Sequence, residues 1–170
     1  MKLFIVPFLM ALFATIPAHA ADKADEKRLD EVAHRGAHVM PFDLEKTTHV
    51  FSKTAKGGVQ QVIAKDKSDT KQIGLIRTHL SEISEEFKQG DFSKPAKIHG
   101  KTMPGLAELK TAKAGQIKIE YKELPDGAQI NYSTEVPKFK KAIHQWFDAQ
   151  LSDHARHAVP GQPHQHMHSR

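Results

Sequence analysis

His49-Val50-Phe51-Ser52-Lys53-Thr54-Ala55-Lys56-Gly57-Gly58-Val59-Gln60-Gln61-Val62-Ile63-Ala64 is the stretch on which the fold turns. Two runs of β-branched and aromatic residues flank a Gly-Gly turn, the pattern of a hairpin. Just downstream, Asp66 to Asp69 supplies helix N-cap residues. Ile73, Ile76, Leu80, Ile83 and Phe87 then recur every three or four positions, one apolar stripe on a helix ending near Gly90. The plan repeats in the second half. Residues 116–124 alternate as a half-buried strand, Pro125-Asp126-Gly127 turns, and residues 128–133 return. Ser133 or Thr134 then caps a helix with Pro137 in its first turn and Phe139, Ile143, Trp146, Phe147 and Gln150 on its inner face. Setting Gly58 on Gly127 and Ile76 on Ile143 aligns the halves as an internal duplication. A lone hairpin is marginal until its apolar face is covered. The expected fold is therefore α+β: two β-hairpin-plus-helix units forming an antiparallel sheet with helices packed on one face.

Working outward, residues 1–20 read as a secretory signal peptide. Met1-Lys2 precedes an apolar run from Leu3 to Ile16, and Ala18-His19-Ala20 has the small-residue form of a cleavage site. The run is too short for a span, which needs about 20 apolar residues. A periplasmic or secreted bacterial protein without a membrane span is expected. Residues 21–35 are charged and weakly patterned, read as a mobile or frayed helical N-terminal arm. Residues 36–155 form a single domain. Residues 156–170 lack an apolar face and read as a disordered His-rich tail. Residues 91–113, rich in Gly, Pro and Lys and with a short helix expected at Leu106 to Thr111, are the candidate functional loop.

Composition narrows the chemistry. The chain has no cysteine, which excludes disulfides, thiolate zinc sites and iron–sulfur clusters. Its net charge of +5 is dispersed among interleaved acids. Nucleic-acid binding needs a denser basic face with aromatic platforms. No phosphate loop, dinucleotide fingerprint, His-Glu-x-x-His motif or nucleophile elbow occurs, so no nucleotide cofactor is expected. Histidine is the outlier, with 12 residues, of which His19 leaves with the leader.

Without thiols, His and Met are the soft to borderline ligands left, suited to copper and, less well, to nickel or zinc. His38 and Met40 stand two apart, and His99 and Met103 flank a flexible Gly and lead into Pro104. His49 heads the first strand, and His154 follows the last helix. The candidate metal ligands are therefore His38, Met40, His49, His99, Met103 and His154, with tail residues His164, His166 and His168 as auxiliary chelators. The competing reading makes Met40 and Met103 apolar plugs. His79 and His144 sit at the edges of helix stripes, where a histidine bonded to a carbonyl is the commoner outcome.

Four blocks carry a family resemblance: Met40-Pro41-Phe42-Asp43-Leu44, Thr47-Thr48-His49-Val50-Phe51, Ile98-His99-Gly100, and Trp146-Phe147-Asp148-Ala149-Gln150-Leu151-Ser152-Asp153-His154. Together they resemble a family of small exported bacterial proteins, some of whose members are labelled aspartate carbamoyltransferase. Carbamoyltransferases grip carbamoyl phosphate with a Ser-Thr-Arg-Thr loop. The nearest string here, Ser133-Thr134-Glu135, lacks the arginine.

The leading expectation is an exported protein that binds a transition metal, copper preferred, as carrier, buffer or resistance factor, with a metal-handling protein as partner. The first alternative is a metal-free interaction or small-anion-binding domain, docking through Phe42, Phe92 and a Lys-rich surface. The second is a small enzyme using His99, His38 and Asp43 as acid and base.

Overall fold

A computed structural model describes residues 25–161. The expected leader and the last nine residues lie outside them. The elements run α1 (Glu26–Val39), β1 (Thr47–Thr54), β2 (Gly57–Ala64), α2 (Thr70–Lys88), α3 (Ser93–His99), α4 (Leu106–Leu109), β3 (Lys118–Leu124), β4 (Gly127–Ser133), α5 (Pro137–Asp153) and β5 (Ala158–Pro160). The class is α+β. One sheet of order β3-β4-β2-β1-β5 carries the fold, with α2 packed on β4, β3 and β2 and α5 on β2, β1 and β5.

Both hairpins form as the alternation predicts, each closed by a two-residue turn: Thr54 pairs with Gly57, and Leu124 with Gly127. Gly57, not Gly58, is thus the counterpart of Gly127, and the duplication register shifts by one residue. Gly58 has a different task. A Cβ there would meet the Phe147 ring at 2.4 Å, so its bare backbone lets α5 lie close against β2.

Side chains alternate across a strand, so the register sorts the faces. His49 pairs with Val62, which pairs with Ala128; Phe51 pairs with Gln60, which pairs with Ile130. These residues share the helix-covered face. There they meet Ile76, Leu80, Phe87, Trp146 and Phe147 in the core. Aromatic rings supply much of the buried area, with Phe87, Phe92, Tyr132 and Trp146 in mutual contact.

Four expectations are corrected or refined. The sheet is mixed, because β5 runs parallel to β1, pairing His49 with Ala158 and Phe51 with Pro160. Residues 158–160, read from the sequence as part of a disordered tail, form this strand. The N-terminal arm is helix α1, capped by the Asp25 carboxylate accepting from the Arg28 N–H at 2.7 Å. Its Leu29, Val32 and Gly36 are buried at helical spacing. In the functional-loop segment the short helix expected from Leu106 forms as α4, and α3 is an addition to it. None of the described helices is long and apolar enough to cross a membrane.

Candidate functional site

The interior gathers histidines from four elements around a cavity of about 40 Å³. Its wall includes His49 from β1, His79 from α2, His99 from the end of α3 and His154, which caps α5. Met40, Phe42, Trp146 and Gln150 complete much of the rest. All four imidazoles are at most 6% exposed. That volume has room for roughly one or two waters, or for an ion among its ligands.

His99 is the best-anchored of them. Its Nδ1 lies 2.8 Å from Asp153 Oδ2. Asp153 in turn receives both donors on one edge of the Arg28 guanidinium, Nε–H at 3.1 Å to Oδ1 and Nη2–H at 2.6 Å to Oδ2. Arg28 Nη2 also donates to the His99 carbonyl at 2.7 Å. These donors hold the Asp153 carboxyl below the usual carboxylate range, although burial pushes the other way. An ionised carboxylate only accepts, so the His99 proton sits on Nδ1 and the Nε2 lone pair is free. That lone pair faces His154 Nε2 at 3.2 Å. The two rings stand edge to face, centroids 4.8 Å apart. Without a metal, His154 Nε2–H donates to His99 Nε2.

His49 completes the group. Its ring centroid is 5.1 Å from that of His154, and its Nε2 is buried without a hydrogen-bond partner. The backbone ties the same residues together: His157 N–H donates to the His154 carbonyl, and His49 N–H to the His157 carbonyl, each at 2.7 Å. Trp146 Nε1 is also buried and unpartnered. Two orphan polar atoms thus belong to the wall of one cavity, a departure from the usual satisfaction of buried groups.

Burial keeps these imidazoles neutral. Desolvation lowers His49 from 6.5 to about 3 and His79 from 6.5 to about 4. His154 falls well below the ordinary value for the same reason, with the neighbouring histidines and Arg28 adding to the effect. His99 is lowered by burial against the opposing pull of Asp153. Neutral imidazole is the metal-binding form.

Of the nominated ligands, His49, His99 and His154 converge, and Met40 lines their cavity. Met103 does not join them. It lies in the core and lines an outer cleft of about 500 Å³ that shares only His99 with the cavity. His38 is exposed on α1, where it lines an outer groove and not the cavity. Sequence spacing put Met103 four residues from His99, but the turn after α3 carries it to the other side. His164, His166 and His168 lie outside the described residues. Among those described, no three His, Asp or Glu side chains are spaced to hold a metal ion as they stand.

The rival readings fare less well in their details. Phe42 and Phe92, proposed as docking residues, are core residues at 4% and 3% exposure. Asp43 caps the turn before β1 by accepting from the Glu45 N–H, and the partner of His99 is Asp153. His144 takes the carbonyl-bonded role, its Nε2 reaching Thr54 O at 3.1 Å and Gly57 O at 2.8 Å to clamp the first hairpin. Sequence reasoning missed Arg28, and it placed Asp153 only within the block that carries the family resemblance. The signal available was the charge pair itself, 125 residues apart. No family model, curated protein or solved structure matches this chain.

Proposed function

We propose that the protein is an exported transition-metal carrier or buffer that holds one ion, copper by preference, at His99 Nε2 and His154 Nε2. The observation that carries this reading is the 3.2 Å separation of those two atoms in the interior. Two imidazole nitrogens bound at 2.0–2.1 Å to a tetrahedral ion stand about 3.3 Å apart. The Asp153–His99 bond is the carboxylate–histidine support that orients metal-ligating imidazoles and raises their basicity. His49 supplies the third donor after a turn of its ring, and Met40 is the soft ligand of the same cavity. Binding requires His154 to move its proton from Nε2 to Nδ1, a tautomer change with no net proton release.

Charge favours the monovalent ion. All the nominated donors are neutral, the Asp153 charge is already matched by Arg28, and the Lys94 ammonium in the cavity wall is paired with Glu86 and Glu82. The Born cost of burying an ion rises with the square of its charge, so Cu(I) is desolvated far more cheaply than Cu(II) or Zn(II). Met adds affinity for copper and little for zinc. The leader-like N-terminus and the family resemblance support an extracytoplasmic setting. The enzyme reading is weaker, since the His99 lone pair is turned to His154 and not to the outer cleft.

The test is a competition titration with Cu(I), Cu(II) and Zn(II), using the full chain with His164, His166 and His168 replaced by Ala. One tightly held equivalent, tightest for Cu(I) and lost in His99→Ala, is expected. Absence of uptake once the tail is silenced would refute the reading.

A further inference from the structure

We infer that the groove between α1 and α3 binds a multivalent oxyanion of the phosphate or polycarboxylate class, with the side-on edge of Arg35 as its fork. The inference rests on side chains other than the proposed metal donors, although Val39 and Lys94 line both the groove and the interior cavity. The groove, about 490 Å³, is lined by His34, Arg35, His38, Val39, Lys94 and Lys97. Five of the six are basic, and no acid lines it.

Arg28 shows what this helix does with an arginine. Arg28 and Arg35 are seven residues apart, two turns, and so share a face of α1. Arg28 directs Nε–H and Nη2–H in parallel onto one carboxylate, that of Asp153. The same two atoms of Arg35 are buried and have no hydrogen-bond acceptor. Parallel donors on one guanidinium edge match the spacing of two oxygens on a carboxylate or phosphate. The Glu31 carboxylate stands 3.6 Å from Arg35 Nη2, beyond hydrogen-bond reach, and is half exposed, so it can swing aside.

The remaining charges leave the groove positive. Lys94 is shared with Glu86 at 2.8 Å and Glu82 at 3.6 Å, both from α2. Lys97 makes no ion pair among the described residues. His34 and His38 stack edge to face at 4.9 Å, one turn apart, and bring ring N–H donors to the rim. A pair of histidines at this spacing is a familiar metal chelate, but here a cation would sit among Arg35, Lys94 and Lys97. Coulomb repulsion disfavours that and attracts a polyanion. Two or more negative charges on the ligand answer the uncompensated cations better than one.

The test is amide NMR of the full chain titrated with inorganic phosphate, citrate, acetate and chloride at matched ionic strength, which separates site binding from screening. Phosphate or citrate should give saturable shifts at residues 34–39 and 94–97, with acetate and chloride giving none. Arg35→Gln should weaken binding about tenfold or more, as loss of charge-assisted bonds does. Arg35→Lys, which keeps the charge but not the fork, should weaken it as well. Whichever of phosphate and citrate binds tighter identifies the class. Equal shifts with chloride, wild-type binding by Arg35→Lys, or Zn(II) binding at His34 and His38 in place of phosphate would overturn the inference.

Discussion

The molecule contains two histidine pairs of nearly the same geometry and opposite surroundings. His99 and His154 meet edge to face with centroids 4.8 Å apart, and His34 and His38 do so at 4.9 Å. The first pair is buried, backed by a carboxylate and beside His49, whose Nε2 has no hydrogen-bond partner. The second is exposed and ringed by arginine and lysine. On the proposed reading, proximity of two imidazoles is not enough to make a metal site; the interior pair differs in its fixed tautomer and its exclusion of water. The same contrast runs through the arginines of α1: Arg28 directs its fork onto Asp153, which orients His99, and the fork of Arg35 has no hydrogen-bond acceptor, with Glu31 at 3.6 Å.

The comparison breaks most decisively at His154. His154→Phe keeps a ring in the core but removes the partner of His99 Nε2, and it should cut Cu(I) affinity more than about a hundredfold, on the scale of a lost ligand. Competition titration reads this directly, with circular dichroism checking that the fold survives. Asp153→Asn should cost less, about 10–100-fold, because the ligand remains but its tautomer and orientation are no longer enforced. An effect of Asp153→Asn equal to that of His154→Phe would make the carboxylate a ligand and not a support.

Acid sharpens the contrast in another way. In the metal-free protein His49 and His79 have folded-state values depressed from 6.5 to about 3 and about 4. The unfolded chain therefore binds protons first as pH falls. Stability should be full above about pH 6.5 and be lost progressively toward pH 4, with His49 alone contributing on the order of 2 kcal/mol of loss by about pH 5. Thermal melts between pH 8 and pH 4 measure it. A flat profile would mean that these imidazoles are hydrated. The smallest effect belongs to the surface pair: His34→Ala with His38→Ala should change Cu(I) affinity less than about twofold and stability by less than about 0.5 kcal/mol, as for other exposed sites. The same titration and melts check this.

Much of the frame was legible because it rests on local periodicity. The two hairpins, α2 and α5 emerged from alternation, turn residues and apolar stripes. Three of the six nominated ligands, His49, His99 and His154, converge as well. Their strand and helix ends are brought together by the sheet register and by the chain returning from α5 to β1. What was not legible depends on distant partners. β5 is three residues with no pattern of its own and exists by pairing with β1. α1 has few apolar residues, and its burial depends on α3 and α5 being there. Arg28 reads as one charge among many until Asp153 is placed against it. Met103 and His38 were nominated by closeness in sequence, which a turn and a helix end convert into separation.

The central claim is that His99 and His154 share one ion. Nitrogen-15 NMR of the imidazoles in the full chain, followed through one equivalent of Cu(I), tests it most directly. The Nε2 resonances of His99 and His154 are expected to move together, with His154 changing tautomer and His34 and His38 unmoved. Shifts confined to His164, His166 and His168, with the interior pair unchanged, would contradict it.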